Sequence, residues 1–92
     1  MDIFCGNLNP QVEDADLRVL FEAEGFTVIR AIVIRDHQSG ESRGFGFVTL
    51  GSEDEMAAAL SVLNGRGFHG RVVRLDKARP RPYNDFQVRN QP

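Results

Sequence analysis

Two hydrophobic periods take turns along the chain. Residues 2–6 form an apolar run closed by Gly-Asn-Leu-Asn-Pro, the pattern of a short strand ended by a turn. The stretch VEDADLRVLFEAEGF then sets Leu17, Leu20 and Phe21 at helical spacing, with acids in the first turn and Gly25 where a helix stops. TVIRAIVIRD is rich in β-branched residues and predicts a second strand. The polar DHQSGES reads as a flexible connection to a third strand at 43–50, so the pair predicts a hairpin. SEDEMAAALSVLNG opens with Ser52 and Glu55 at capping-box spacing, carries a stripe of Met56, Ala59, Leu60 and Leu63, and closes on Asn64 and Gly65. It predicts a second helix. A Gly-rich turn, GRGFHG, leads into RVVRLDKA, where Val73 and Leu75 alternate with Arg74 and Asp76 as a fourth strand.

The order β-α-β-β-α-β, with right-handed crossovers, places both helices on one face of a four-stranded antiparallel sheet, the ferredoxin-like α+β arrangement. Alternation assigns Ile3, Cys5, Ala31, Val33, Val48, Leu50, Val73 and Leu75 to the helix side. The other face receives Phe4, Phe45 and Phe47 on the two central strands, ringed by Arg30, Ile32, Ile34, Arg43, Thr49, Arg74 and Asp76. No further element is available to cover those rings. The glycines between the phenylalanines are expected to keep the helix side of their strand flat for close helix packing.

A rigid face with aromatic rings at its centre and bases at its margin suits single-stranded nucleic acid. Each nucleobase has a π-face that stacks on such rings, a stack contributing about 1–3 kcal/mol, while cations take the phosphates. Bases paired inside a duplex are out of reach.

Size and composition narrow the class further. The 92 residues, 41% hydrophobic and 26% charged, fit one globular domain. No apolar run approaches a membrane span, and MDIFCGNL lacks the features of a secretory signal. The single Cys5 excludes an intramolecular disulfide and a cysteine-based zinc cluster, and favours an intracellular compartment: the cytoplasm, or in a eukaryote the nucleus or plastid. Net charge is only −2, yet it is unevenly spread. Residues 1–25 carry six acids against Arg18, and residues 66–81 carry six bases against Asp76, so a local basic patch is available to a polyanion.

Two motifs on these strands resemble a known family. IFCGNL (3–8) resembles the hexameric RNP motif and RGFGFVTL (43–50) the octameric one of the RNA recognition motif, with seven of eight positions fitting and Leu50 the departure. The resemblance covers residues 1–78, leaving 79–92 as a flexible basic and aromatic tail; the whole is similar to short single-domain RNA-binding proteins of bacteria and plastids. It implies that Phe4 and Phe47 each stack a base, that Phe45 packs between sugars, that Arg43 pairs with a phosphate, and that Lys77 to Arg79 add base contacts. With Asn7, Thr49, Arg74 and Asp76 these form the expected RNA-binding set, and Asp2, Thr49 and Asp76 offer groups for base edges. The tail, with Tyr83 and Phe86, is expected to extend the platform.

Each of these residues also has an ordinary structural role open to it. Strand phenylalanines are more often core, which here would need a second covering layer. The scattered arginines individually read as surface charge. His37 and His69 read as loop histidines without metal partners, and Cys5 as a small core hydrophobe. A protein-binding version of the fold, or an enzyme on it, are the competing classes. No phosphate loop, nucleophile elbow or metal cluster is present in the sequence, so neither catalysis nor a cofactor is expected. The expected partner is single-stranded RNA, with single-stranded DNA weaker, no membrane, and a monomeric chain.

Overall fold

The structure, a computed structural model, describes residues 2–78. Arg79 and the expected tail, including Tyr83 and Phe86, lie outside the described residues. The elements are β1 (Asp2–Gly6), α1 (Asp14–Glu22), β2 (Val28–Arg35), β3 (Ser42–Leu50), α2 (Glu53–Leu63), β4 (Gly67–Phe68), β5 (Arg71–Val72) and β6 (Arg74–Lys77). Four strands pair antiparallel in the order β2-β3-β1-β6, the ferredoxin-like sheet predicted from the pattern. Leu17 and Phe21 of α1 and Met56, Ala59 and Leu63 of α2 join Ile3, Cys5, Val33, Val48, Leu50, Val73 and Leu75 in one buried cluster, so both helices cover the same face. Ala31 is half-buried and packs against it.

The stretch GRGFHG is more than a turn. It contributes β4, which pairs with β5 in a separate two-stranded hairpin across His69 and Gly70, and the fourth strand of the main sheet begins only at Arg74. Leu8 and Val12, in the connection after β1, are fully buried and belong to the core. Leu8 comes after the strand period and Val12 precedes the first turn of α1, so neither is among the positions that spacing marks as core.

A bulge between Val28 and Arg30 resets the parity of β2. Counting back from Val33 in strict alternation turns Ile29 inward. The extra residue instead leaves Val28 buried opposite Leu50 and Ile29 61% exposed. The capping box of α2 is half formed. Ser52 Oγ accepts from the Glu55 N–H at 3.1 Å, but the Glu55 carboxylate accepts from the Thr27 N–H (3.0 Å) and hydroxyl (3.2 Å), tying α2 to the approach to β2. At the other end of α2, Asn64 Oδ1 accepts from the Leu75 N–H at 2.8 Å and anchors β6.

The role expected of the glycines between the phenylalanines is corrected. A Cβ on Gly46 would overlap the Ile32 carbonyl oxygen and lie 3.1 Å from Val33 Cα, so the close neighbour is the backbone of β2 and not a helix. Gly46 pairs with Val33, next to a register shift between Val33 and Arg35. Gly44 adopts φ +83°, and its carbonyl accepts from the Leu8 N–H at 2.9 Å, fixing the end of β1 to β3. Gly46→Ala is expected to destabilise the domain by about 1–3 kcal/mol, the usual cost of forcing extra atoms into a packed site. Gly67, with open space around it, serves as the control: Gly67→Ala should leave the urea midpoint nearly unmoved.

Candidate nucleic-acid interface

Pairing of β1 with β3 sets Phe4 directly opposite Phe47, and Phe45 lies two residues earlier on the same face of β3. The three rings form a nearly equilateral triangle, with centroids 5.7 Å apart for Phe4–Phe45, 5.8 Å for Phe4–Phe47 and 6.1 Å for Phe45–Phe47. Phe4 and Phe45 are tilted by only 31°, whereas Phe47 meets them edge-on at 66° and 87°. Such contacts hold rings in place by about 0.5–1.5 kcal/mol per pair. All three remain half-buried while Ile3, Cys5 and Val48, on the opposite face of the same strands, are fully buried. The rings are therefore outside the core.

Register extends this triangle into a row across the sheet. Ile32 stands opposite Phe47, and Asp76 opposite Phe4, giving Ile32–Phe47–Phe4–Asp76 from one edge strand to the other. A second row runs Arg30–Thr49–Asp2, in which the Thr49 hydroxyl donates to Asp2 Oδ1 at 2.5 Å. That bond uses the only proton Thr49 has to give, so in the free protein the pair presents acceptors to a ligand. Arg74 pairs with Gly6 at the β6 edge, on the ring side of the sheet.

Other members of the expected set are placed elsewhere. Asn7, at φ 59°, donates its amide to the Val72 carbonyl at 2.8 Å and braces the end of β1 against β5. Lys77 is exposed, but it alternates to the helix side of β6. The basic cluster at 66–81 also divides. Arg66 is paired with Glu24 at 2.9 Å, and Arg71 reaches the Leu8 carbonyl at 3.5 Å. Among the described residues, Arg30, Arg43 and Arg74 are exposed and outside any ion pair, which leaves them available at the margin of the rings.

The connection between β2 and β3 is laced by hydrogen bonds rather than a plain linker. Asp36 Oδ1 accepts from the N–H groups of Gln38 (2.8 Å) and Ser39 (3.0 Å), its own N–H donates to Glu41 (2.8 Å), and its carbonyl accepts from Gly40 (2.7 Å). The Ser39 and Gln38 amides, helped by the positive charge of Arg43, hold the Asp36 carboxyl below its ordinary 3.8. Burial does the reverse to Cys5, pushing its thiol up to about 12 and leaving it an inert core group. Among the described residues no cluster of His, Cys, Asp or Glu could hold a metal ion.

The RNA recognition motif family model matches residues 3–74, and the chain belongs to that family. It is 44% identical over 80 residues to the 28 kDa chloroplast ribonucleoprotein of Nicotiana sylvestris, a match covering 87% of this chain and 29% of that protein. The chain thus spans less than a third of that relative's length. It is likewise 44% identical over 81 residues to RbpA of Nostoc sp., covering 88% of this chain and 78% of that one. Among solved structures, RNA binding protein PG1 is similar at 40% identity and TM-score 0.81, covering 89% of this chain and 98% of that chain. The Sxl-lethal protein/RNA complex is similar at 29% identity and TM-score 0.81, over 89% and 48% of the two chains.

Because the Asp36 carboxyl is depressed in the folded chain, its contribution to loop order is complete above 3.8 and is lost as pH falls through the lower folded value. The amide resonances of Gln38 and Ser39 should move through one transition centred below 3.8. Asp36→Asn should abolish the movement, and a transition centred above 3.8 would contradict the hydrogen-bonded carboxylate.

Proposed function

We infer that this domain binds single-stranded RNA by stacking unpaired bases on Phe4 and Phe47, with Phe45 against the sugars, in post-transcriptional RNA regulation or processing. The observation that carries this reading is the triangle of half-buried rings on a sheet face that no other described element covers. Arg43 and Arg74 are the phosphate partners at its margin, with Arg30 beside them. Thr49 and Asp76 contact base edges; Asn7, whose amide nitrogen is held by Val72, contributes its side-chain oxygen, and Lys77 contributes from the end of β6, where the strand leaves the sheet. Family membership and the similarity to chloroplast ribonucleoproteins support the same reading. So does the likeness to a protein solved as an RNA complex.

Residues 1–78 act as the binding domain, in keeping with the matched 3–74, and 79–92, with Arg79, follow as a tail that extends the platform. The chain works as a monomer, binds single-stranded DNA more weakly than RNA, and carries out no catalysis. No described helix is long and apolar enough to cross a membrane. The cytoplasm or plastid is the compartment proposed, on the strength of the chloroplastic relatives and a single buried thiol.

Phe4→Ala and Phe47→Ala should each weaken binding to short single-stranded RNA by about 1–3 kcal/mol with a folded domain retained. Fluorescence anisotropy, with the folded fraction checked by circular dichroism, measures both. Affinity per folded molecule that does not change in either variant would remove the rings from the binding face.

A further inference from the structure

Gly6 is buried on the ring side of β1, two residues beyond Phe4 and paired with Arg74. A side chain at this position would point out of the sheet beside Phe4. Instead, a Cβ built on Gly6 would sit 2.8 Å from Phe4 Cε2 and 3.1 Å from Phe4 Cζ, while its nearest other neighbour, the Arg74 carbonyl oxygen, is at an ordinary 3.8 Å. The far edge of the Phe4 ring therefore lies along the strand, in the space that every other residue would fill.

The geometry points to Gly6 as a positioning residue for RNA binding: its absent side chain is the seat of the Phe4 ring, and it sets the ring attitude that a stacked base meets. This rests on the stacking reading above, and adds the element that fixes one of the two stacking rings. The contact is selective in what it constrains. Gly6 lies outside the left-handed backbone region, so alanine meets no conformational penalty there. The one obstacle to a methyl group is the tip of a side chain that can swing away. Because Phe4 Cζ lies on the axis of the ring torsion, the ring clears a methyl group by a rotation about the Phe4 Cα–Cβ bond, at the modest cost of a side chain moved off its rotamer. A methyl at Gly6 is thus accommodated by lifting the Phe4 ring, leaving the sheet and core as they are. The 31° tilt between Phe4 and Phe45 is lost with it. Gly46 is the contrasting case, since the obstacle there is the backbone of β2 and the fold itself must yield.

The sequence pattern does not reveal this role, because a glycine at the end of a strand reads as the start of the turn that follows. Only the side-chain placement of Phe4 distinguishes a seat from a turn residue.

The test uses Gly6→Ala, Phe4→Ala and the double variant of the full chain, probed with short oligouridylate and oligoadenylate single strands. In the free protein, Gly6→Ala should keep its urea midpoint but lose the nuclear Overhauser contacts between the Phe4 ring and residue 6, with shifted Phe4 and Phe45 ring resonances. Affinity for the tighter of the two strands should fall about three- to tenfold, a part of one full stack. In the Phe4→Ala background the same substitution should change affinity no further. Unchanged ring resonances in Gly6→Ala would overturn the seat, as would an equal loss of affinity with and without the Phe4 ring. Displaced ring resonances combined with full affinity in both Phe4→Ala and Gly6→Ala would refute the stacking reading itself, and with it the role of Gly6 in binding.

Discussion

The register of β1 against β3 governs both halves of the molecule, because side chains on paired strands alternate between faces with a period of two. Ile3 opposite Val48 and Cys5 opposite Gly46 build the centre of the core, and Phe4 opposite Phe47 builds the centre of the open face. A slip of one residue would exchange the two sets, burying aromatic rings under the helices and exposing the core aliphatics. Register is therefore held firmly. The Leu8 N–H bonded to the Gly44 carbonyl and the Thr49 hydroxyl bonded to Asp2 fasten β1 to β3 beyond both ends of the ladder's centre. The apolar helices stabilise one arrangement of faces and not its inverse, so folding and display of the rings follow from a single pairing.

Charge plays a secondary and more local part. A net charge of −2 gives no overall attraction for RNA, and Arg18, Arg66 and Arg71 are engaged in contacts within the domain. The cations around the rings are few and widely placed, on β2, β3 and β6. Binding that depends on them is modestly sensitive to salt, because each neutralised phosphate contributes about −0.7 to the slope for a single strand. Under the stacking reading proposed above, the rings carry the larger share of the affinity. The acids of α1, Asp14 and Asp16, and those at the start of α2, Glu53, Asp54 and Glu55, belong to the helices on the other side of the sheet, where they disfavour a second approach by a polyanion.

Much of this was legible in the sequence because it rests on periodicity. The strands, the two helices, the inward set from Ile3 to Leu75 and the outward phenylalanines all follow from spacing of two or 3.6 residues. The features that escaped share a physical cause: each depends on a contact distant in sequence or on a break in the period. Leu8 and Val12 are buried from a loop, and the bulge at Ile29 inverts the parity of β2. The β4–β5 hairpin is built from strands of two residues, too short to show alternation. Glu55 stands at capping-box spacing for its own helix and instead binds Thr27, and Asn7 also braces the end of β1 against β5, a contact its position in the motif does not announce. Side-chain hydrogen bonds of this kind are chosen among several available partners, and sequence spacing names only the local one.

The most direct test of the open aromatic face is a backbone and ring shift titration of the labelled domain with one short RNA, single-stranded and then annealed to its complement. Binding by stacking predicts that the single strand shifts Phe4, Phe45, Phe47 and their row neighbours Ile32 and Asp76, leaves Val19 and Val62 on the helices unmoved, and that the duplex has little effect. Largest shifts on α1 and α2, or tighter binding of the duplex at equal salt, would contradict it.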